Sequence, residues 1–206
     1  MNIKIVIVED HKETREMLAL LINDSFGYQC IAEFDNAESA IQKLPILKPD
    51  VVLMDIHLPG KSGIECIAKL KPIIPITEFI MCTLIEDSDS VFNALKAGAS
   101  GYLSKSTAPD KIIDAIKDAK NGGSPMSSGI ARKVVNFFQI EDKKSLELEK
   151  LTPREQEILQ QLSKGYRYKE IADHLFIDIE TVRKHIHNIY QKLQVSSRMD
   201  AINKVI

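Results

Sequence analysis

Cysteine is scarce in this 206-residue chain: Cys30, Cys66 and Cys82 are odd in number, far apart and never in C-x-x-C spacing. That excludes a disulfide framework and a cysteine zinc site, and it points to a reduced, cytoplasmic setting. Each of the three lies in an apolar stretch, where cysteine serves as a small core residue. Long hydrophobic runs are missing too. No segment approaches the ~18 apolar residues of a membrane span, and the apolar stretch after Lys4 ends at Glu9 and Asp10. Neither a signal peptide nor a membrane anchor is expected. Charge of one sign is low as well, with a formal net of -2, and the 44% apolar and 27% charged residues exclude collagen-like, low-complexity and wholly disordered chains.

The small net charge hides an asymmetry. Residues 1–123 carry 13 Lys and Arg against 18 Asp and Glu, a net of −5, whereas residues 124–206 carry 14 against 11, a net of +3. A nucleic-acid partner for the second part is thereby permitted. At roughly 150 residues per domain the length fits one large domain or two small ones, and two fit the pattern.

In the first part, short apolar runs alternate with amphipathic segments. Residues 3–8, 30–34, 51–54, 79–82 and 102–103 read as strands, the first and third being the near-continuous apolar kind of buried parallel sheets. Residues 13–24, 37–44, 64–70, 88–97 and 109–121 have helical spacing. Five such β-α units predict an α/β doubly wound five-stranded parallel sheet, with function beyond the carboxyl ends of its strands.

The polar residues gather at those ends. Glu9 and Asp10 follow the first strand, Asp55 ends the third, Thr83 ends the fourth and Lys105 follows the fifth. Three crowded carboxylates repel one another, and their hard oxygen ligands suit Mg²⁺. Lys105 can pair with a carboxylate in the empty site and with a phosphoryl oxygen in the filled one, while the Thr83 hydroxyl can donate to that same group. Gly60-Lys61-Ser62 resembles the end of a P-loop, but Asp55 stands where that motif needs glycine, so Pro59-Gly60 reads as a turn. The imidazole nitrogens of His11 and His57 are poor ligands for Mg²⁺, and both residues read as exposed in loops.

Taken together, V-E-D-H after the first strand, V-V-L-M-D-I-H-L-P-G-K-S-G around the third, Thr83, and Y-L-S-K at the fifth resemble the receiver domain of two-component response regulators over residues 1–121. The resemblance implies a flavodoxin-like receiver with Asp55 as phosphoacceptor. It also implies Mg²⁺ held by Glu9, Asp10, Asp55 and the backbone carbonyl of His57, and a switch pair of Thr83 and Tyr102. Two positions depart from the family pattern: Leu84 stands where a small residue is common, and Ser106 where many receivers have proline.

Gly122-Gly123-Ser124-Pro125 closes this domain. Residues 130–138 then read as a short helix, and the charged stretch 141–150 as a polar tether, so that residues 1–122 form the receiver and 123–147 a linker with a short helix. Residues 148–206 read as a small all-α helix-turn-helix domain. Thr152-Pro153-Arg154-Glu155 supplies an N-cap, an N1 proline and a capping-box glutamate for a helix to about Ser163. Helices follow over 169–175 and 180–193, the latter burying Val182, Ile186, Ile189 and Leu193. Its opposite face offers Arg183, Lys184, His187, Asn188 and Gln191 to base edges in the major groove, with Thr181, Lys192 and Arg198 suited to phosphates. His185 reads as packed or bonded to backbone. The last segment, 197–206, places Met199, Ile202 and Val205 in an apolar stripe that closes the small core or pairs two domains.

L-T-P-R-E-Q-E-I-L, K-E-I-A-D-H-L, T-V-R-K-H-I-H-N-I-Y-Q-K-L and V-S-S-R-M-D-A are similar to the LuxR-type helix-turn-helix over residues 151–201. Here Arg167 stands at a capping position and Gln194 where glycine often ends the recognition helix. The combined resemblance is to NarL/FixJ-type response regulators, which implies a cytoplasmic transcription factor that a sensor histidine kinase phosphorylates. It further implies a homodimer on phosphorylation, binding to double-stranded DNA, no membrane partner, and no enzyme activity beyond its own phosphoryl transfer and hydrolysis. A Mg²⁺-dependent phosphotransferase using Asp55 covalently is the alternative class, and a DNA-binding protein with a vestigial receiver is a third.

Overall fold

The computed structural model describes residues 2–84 and 87–205, and of residues 140–142 the backbone alone. Ile206, the end of the expected last segment, lies outside the described residues, as do the side chains of Glu141 and Asp142 in the expected tether. Two compact units divide the chain, residues 1–135 and 136–206.

The first unit alternates β1 (Ile3–Val8), α1 (Lys12–Asp24), β2 (Tyr28–Phe34), α2 (Ala37–Leu47), β3 (Val51–Met54), α3 (Gly63–Leu70), β4 (Glu78–Thr83), α4 (Ser88–Ala97), β5 (Gly101–Ser104) and α5 (Pro109–Lys120). All strand pairs are parallel and the order is β2-β1-β3-β4-β5, so the strand order reverses between β1 and β3. Period-two alternation splits the strand side chains between two cores. Val6, Val8, Val52, Met54, Phe79, Met81 and Tyr102 pack on one face with α2, α3 and α4; Ile5, Ile7, Val51, Leu53, Ile80 and Leu103 pack on the other with α1 and α5. Burial on both faces is why β3 and the Ile5–Val8 stretch of β1 lack polar residues.

Local chemistry sets the helix ends. Ser62 and Glu65 form a reciprocal capping box on α3, Asn36 caps α2, and Asp87 caps α4. Helix α2 continues past Pro45, where the sequence pattern stops it at residue 44, and closes with Lys48 in the left-handed region, its N–H bonded to the Leu44 carbonyl. The described peptide bonds, Lys105–Ser106 among them, are trans.

After α5 the chain returns along the free edge of β5. The Tyr102 N–H donates to the Pro125 carbonyl at 2.9 Å, and Met126 bridges Tyr102 in parallel sense. Gly101 permits this approach, because a Cβ there would lie 2.8 Å from Pro125 Cγ. Helix α6 (Ser128–Glu149) then begins, with Ile130 fully buried beside Tyr102's core and Met126 and Val134 packed against it. This corrects the short helix and tether: α6 has 22 residues. The Glu, Lys and Leu of 141–150 are good helix formers, and no glycine or proline lies between Gly129 and Pro153 to stop them.

The second unit holds the rest of α6 with α7 (Pro153–Ser163), α8 (Tyr168–Leu175), α9 (Ile179–Leu193) and α10 (Arg198–Val205). Ile158, Leu159, Leu162, Ile171, Val182, Ile186, Ile189, Leu193 and Ala201 make its core. Only Phe176, Ile177 and Asp178 separate α8 from α9, with Phe176 in the left-handed region. That is the tight turn of a helix-turn-helix.

Candidate functional site

Register places the first cluster. The Asp55 N–H bonds the Val8 carbonyl at 2.9 Å and the Lys105 N–H bonds the Thr83 carbonyl at 3.0 Å, so the ends of β1, β3, β4 and β5 are level. Lys105 Nζ lies 2.7 Å from Glu9 Oε2 and 2.8 Å from Asp55 Oδ2. Asp55 Oδ1 accepts the Ile56 N–H at 2.7 Å. Glu9, Asp55 and Thr83 are buried, Lys105 is mostly so, and Asp10 and His57 are exposed. Tyr102 pairs with Met81 and Thr83 with Ser104 on adjacent strands, which sets Thr83 and Tyr102 on the same sheet face.

Electrostatics shows an unbalanced negative site. Burial pushes the Glu9 carboxyl above its ordinary value, and Asp55 adds to that against the opposing hydrogen bond from Lys105. Burial lowers Lys105, but its bonds to Asp55 and Glu9 outweigh this and hold its ammonium above the usual value. Lys105 thus pairs with two of three carboxylates, Glu9, Asp10 and Asp55, whose ligand atoms lie within 4.8 Å of one another. A hard divalent cation fits that donor set and charge.

Two supports of this site carry no role in the sequence reading, although Gly63 closes the motif that follows the third strand. A Cβ on Gly63 would sit 1.9 Å from the Asp55 carbonyl oxygen, so only glycine lets α3 start this close behind β3. Arg15 donates to the carbonyls of Glu9 at 2.7 Å and Asp10 at 3.3 Å. Neither stands at a strand end, where the polar site residues lie. Burial disfavours the thiolate of each cysteine, pushing Cys66 and Cys82 up to about 12 and Cys30 up to about 11.

On α9, Arg183, Lys184 and His187 are exposed and Thr181 and Asn188 half-exposed, opposite the buried Val182, Ile186, Ile189 and Leu193. The Arg183–Glu180 ion pair is a surface one, too weak to hold the guanidinium back. The two cations assigned to phosphates have partners inside the domain. Lys192 Nζ bonds Glu155 Oε2 at 2.6 Å, and Arg198 Nη2 bonds the Leu162 carbonyl. Glu155, 3% exposed, also accepts the Thr152 N–H at 2.8 Å. Arg154 bonds the Leu175 carbonyl at 2.9 Å and so holds the end of α8. Arg167 has no side-chain acceptor, and only the Glu170 half of a capping box forms there, at 2.7 Å. His185 is packed, with Nδ1 buried and no hydrogen-bond partner, rather than bonded to backbone. Gln194 ends α9 in the left-handed region. Met199 is 61% exposed while Val205 is buried, so the C-terminal stripe closes the core only in part.

Comparison with known proteins agrees with both halves. The response regulator receiver domain matches residues 5–117, and the luxR family of bacterial regulatory proteins matches residues 149–205. The transcriptional regulatory protein LiaR of Bacillus subtilis is 35% identical over 199 residues, 97% of this chain and 94% of LiaR. A solved LuxR-family two-component response regulator from Aurantimonas sp. SI85-9A1 is 32% identical with a TM-score of 0.63, covering 66% of this chain and 97% of that one. RcsB of Salmonella enterica serovar Typhimurium, solved bound to promoter P1flhDC with the phosphomimetic BeF3-, shares the fold at 22% identity and a TM-score of 0.60, covering 100% of this chain and 98% of that one. With a five-stranded parallel receiver and a helical luxR-type domain joined in one polypeptide, this chain belongs to the NarL/FixJ-type two-component response regulators, which regulate transcription.

Proposed function

We propose that Asp55 takes a phosphoryl group from a sensor histidine kinase or a small phosphodonor, and that this modification governs dimerisation and DNA binding. The observation that supports it most is the Lys105 ammonium bound to buried Glu9 and Asp55 at the ends of three parallel strands. One Asp55 oxygen attacks phosphorus, the bond from phosphorus to the donor breaks, and the donor leaves with the electron pair. Lys105 shifts from the Asp55 carboxylate to a phosphoryl oxygen, and Thr83 donates its hydroxyl to another. Glu9, Asp10, Asp55 and the His57 carbonyl would hold Mg²⁺, which supplies neutralisation of the phosphoryl charge.

The phosphoryl group adds up to about two negative charges at pH 7. Thr83 drawn inward changes the packing available to Tyr102, the other half of the switch. Residues 1–122 act as the phosphoacceptor domain, 123–147 as the connecting segment and 148–206 as the DNA-binding domain, in a cytoplasmic regulator rather than an enzyme with turnover. Arg183, Lys184, His187 and Asn188 read base edges of double-stranded DNA and Thr181 a phosphate, while Lys192 and Arg198 serve mainly to hold α9 and α10 in place. Footprinting on genomic DNA with and without phosphorylation tests this reading. Protected sites that appear or strengthen on phosphorylation support it; identical footprints in both states overturn it.

A further inference from the structure

Arg15 belongs to no strand end and to no motif named for the site, yet 84% of its side chain is covered, since only 16% is exposed. Its guanidinium reaches back from the first turn of α1 to the loop that carries two of the acidic ligands. Nη1 donates to the Glu9 carbonyl at 2.7 Å and to the Asp10 carbonyl at 3.3 Å, and Nε faces Glu33 Oε2 on β2 at 3.8 Å. Within the same loop the His11 N–H donates to Glu9 Oε1 at 3.2 Å, and the His11 ring meets Thr14 Oγ1 at 3.2 Å.

From this geometry we infer that Arg15 is a positioning residue for the divalent cation, acting through the Glu9 and Asp10 backbone; the inference rests on the metal reading above. Two successive carbonyls turned toward one planar donor fix the peptide planes on either side of Asp10, and with them the directions of both side chains. Arginine suits this because its donors form a rigid fork, whereas lysine is a point charge on a flexible stem. Glu33 meets the Nε edge of the same guanidinium at 3.8 Å. Outer partners of metal ligands are worth about tenfold to a hundredfold in affinity when removed.

The test is Mg²⁺ titration of the full chain by calorimetry, comparing wild type with Arg15→Ala, Arg15→Lys and Asp10→Asn, alongside phosphorylation rates from a small phosphodonor across Mg²⁺ concentration. Arg15→Ala should bind Mg²⁺ about tenfold to a hundredfold more weakly than wild type, and Arg15→Lys less weakly than that but still by clearly more than about twofold. Phosphorylation by Arg15→Ala should recover toward the wild-type rate at saturating Mg²⁺, a separation that general damage to the fold would not give. If either folded Arg15 variant binds Mg²⁺ within about twofold of wild type, the inference fails. Should Arg15→Ala not fold, Arg15→Lys alone decides by the same criterion. Asp10→Asn distinguishes the two levels: unchanged Mg²⁺ affinity in that variant overturns the metal reading itself, whereas weakened binding there beside intact binding in the Arg15 variants overturns only the role of Arg15.

Discussion

Replacing Glu155 with alanine removes two linked contacts at the N-terminus of α7. One is the return bond of the capping box to the Thr152 N–H at 2.8 Å, and the other is the 2.6 Å bond to Lys192 at the far end of α9. The lost return bond, with the Thr152 cap itself retained, costs about 0.5–1.5 kcal/mol. A charge-assisted bond contributes about 1.5–3 kcal/mol, and the low end applies because the Lys192 side chain is 38% exposed. The sum is about 2–3 kcal/mol, or roughly 30- to 150-fold in an opening equilibrium. Amide hydrogen exchange in the full chain reads this directly as lost protection of core amides in α7 and α9. A pH arm sharpens it. Burial alone would raise the Glu155 carboxyl, but the bonds from Lys192 and Thr152 outweigh burial and hold it below its ordinary value. A depressed folded-state value means stabilisation that is present above the unfolded value and lost as pH falls through the folded one, so the gap between wild type and variant should close below about pH 4.3. A loss of protection under about threefold at pH 7, or a gap that persists unchanged in acid, would refute the reasoning.

Ile130→Ala should destabilise the first unit by about 2–5 kcal/mol, since the side chain is fully buried in the core that contains Tyr102; thermal unfolding indistinguishable from wild type contradicts that packing. Alanine at Arg183 or Lys184 should cost about 1–3 kcal/mol in operator affinity with exchange protection intact, and unchanged affinity in the double variant removes α9 from base reading. Phosphorylation should raise operator affinity through pairing of two chains, because one helix-turn-helix reads only a few base pairs. Sedimentation of the phosphorylated chain then shows a dimer; a monomer bound at full affinity favours unmasking of the C-terminal part instead.

The sheet was readable because β1 and β3 are buried on both faces and so carry unbroken apolar runs, and the site was readable because its side chains are polar residues placed where such runs end. Edges blurred where the signal is weaker: β5 is four residues long with glycine at its start, and only its two central residues stand out. The extent of α6 was missed because a charged run without periodicity reads as a tether, although its composition favours helix. Lys192 and Arg198 show the same limit from the other side. A cation near a helix end is recognisable in a sequence, but whether it faces phosphate or a buried glutamate 37 positions away depends on tertiary packing. Gly63 lies inside the motif after β3 and Arg15 outside any motif, but both act at backbone carbonyls, and side-chain pattern does not show where those carbonyls lie.

The most direct test of the account is intact-mass analysis and peptide mapping of the full chain after incubation with a small phosphodonor and Mg²⁺. The account predicts that the wild type gains one phosphoryl group, mapped to Asp55, and that Asp55→Asn gains none; an Asp55→Asn chain that still gains one would contradict it.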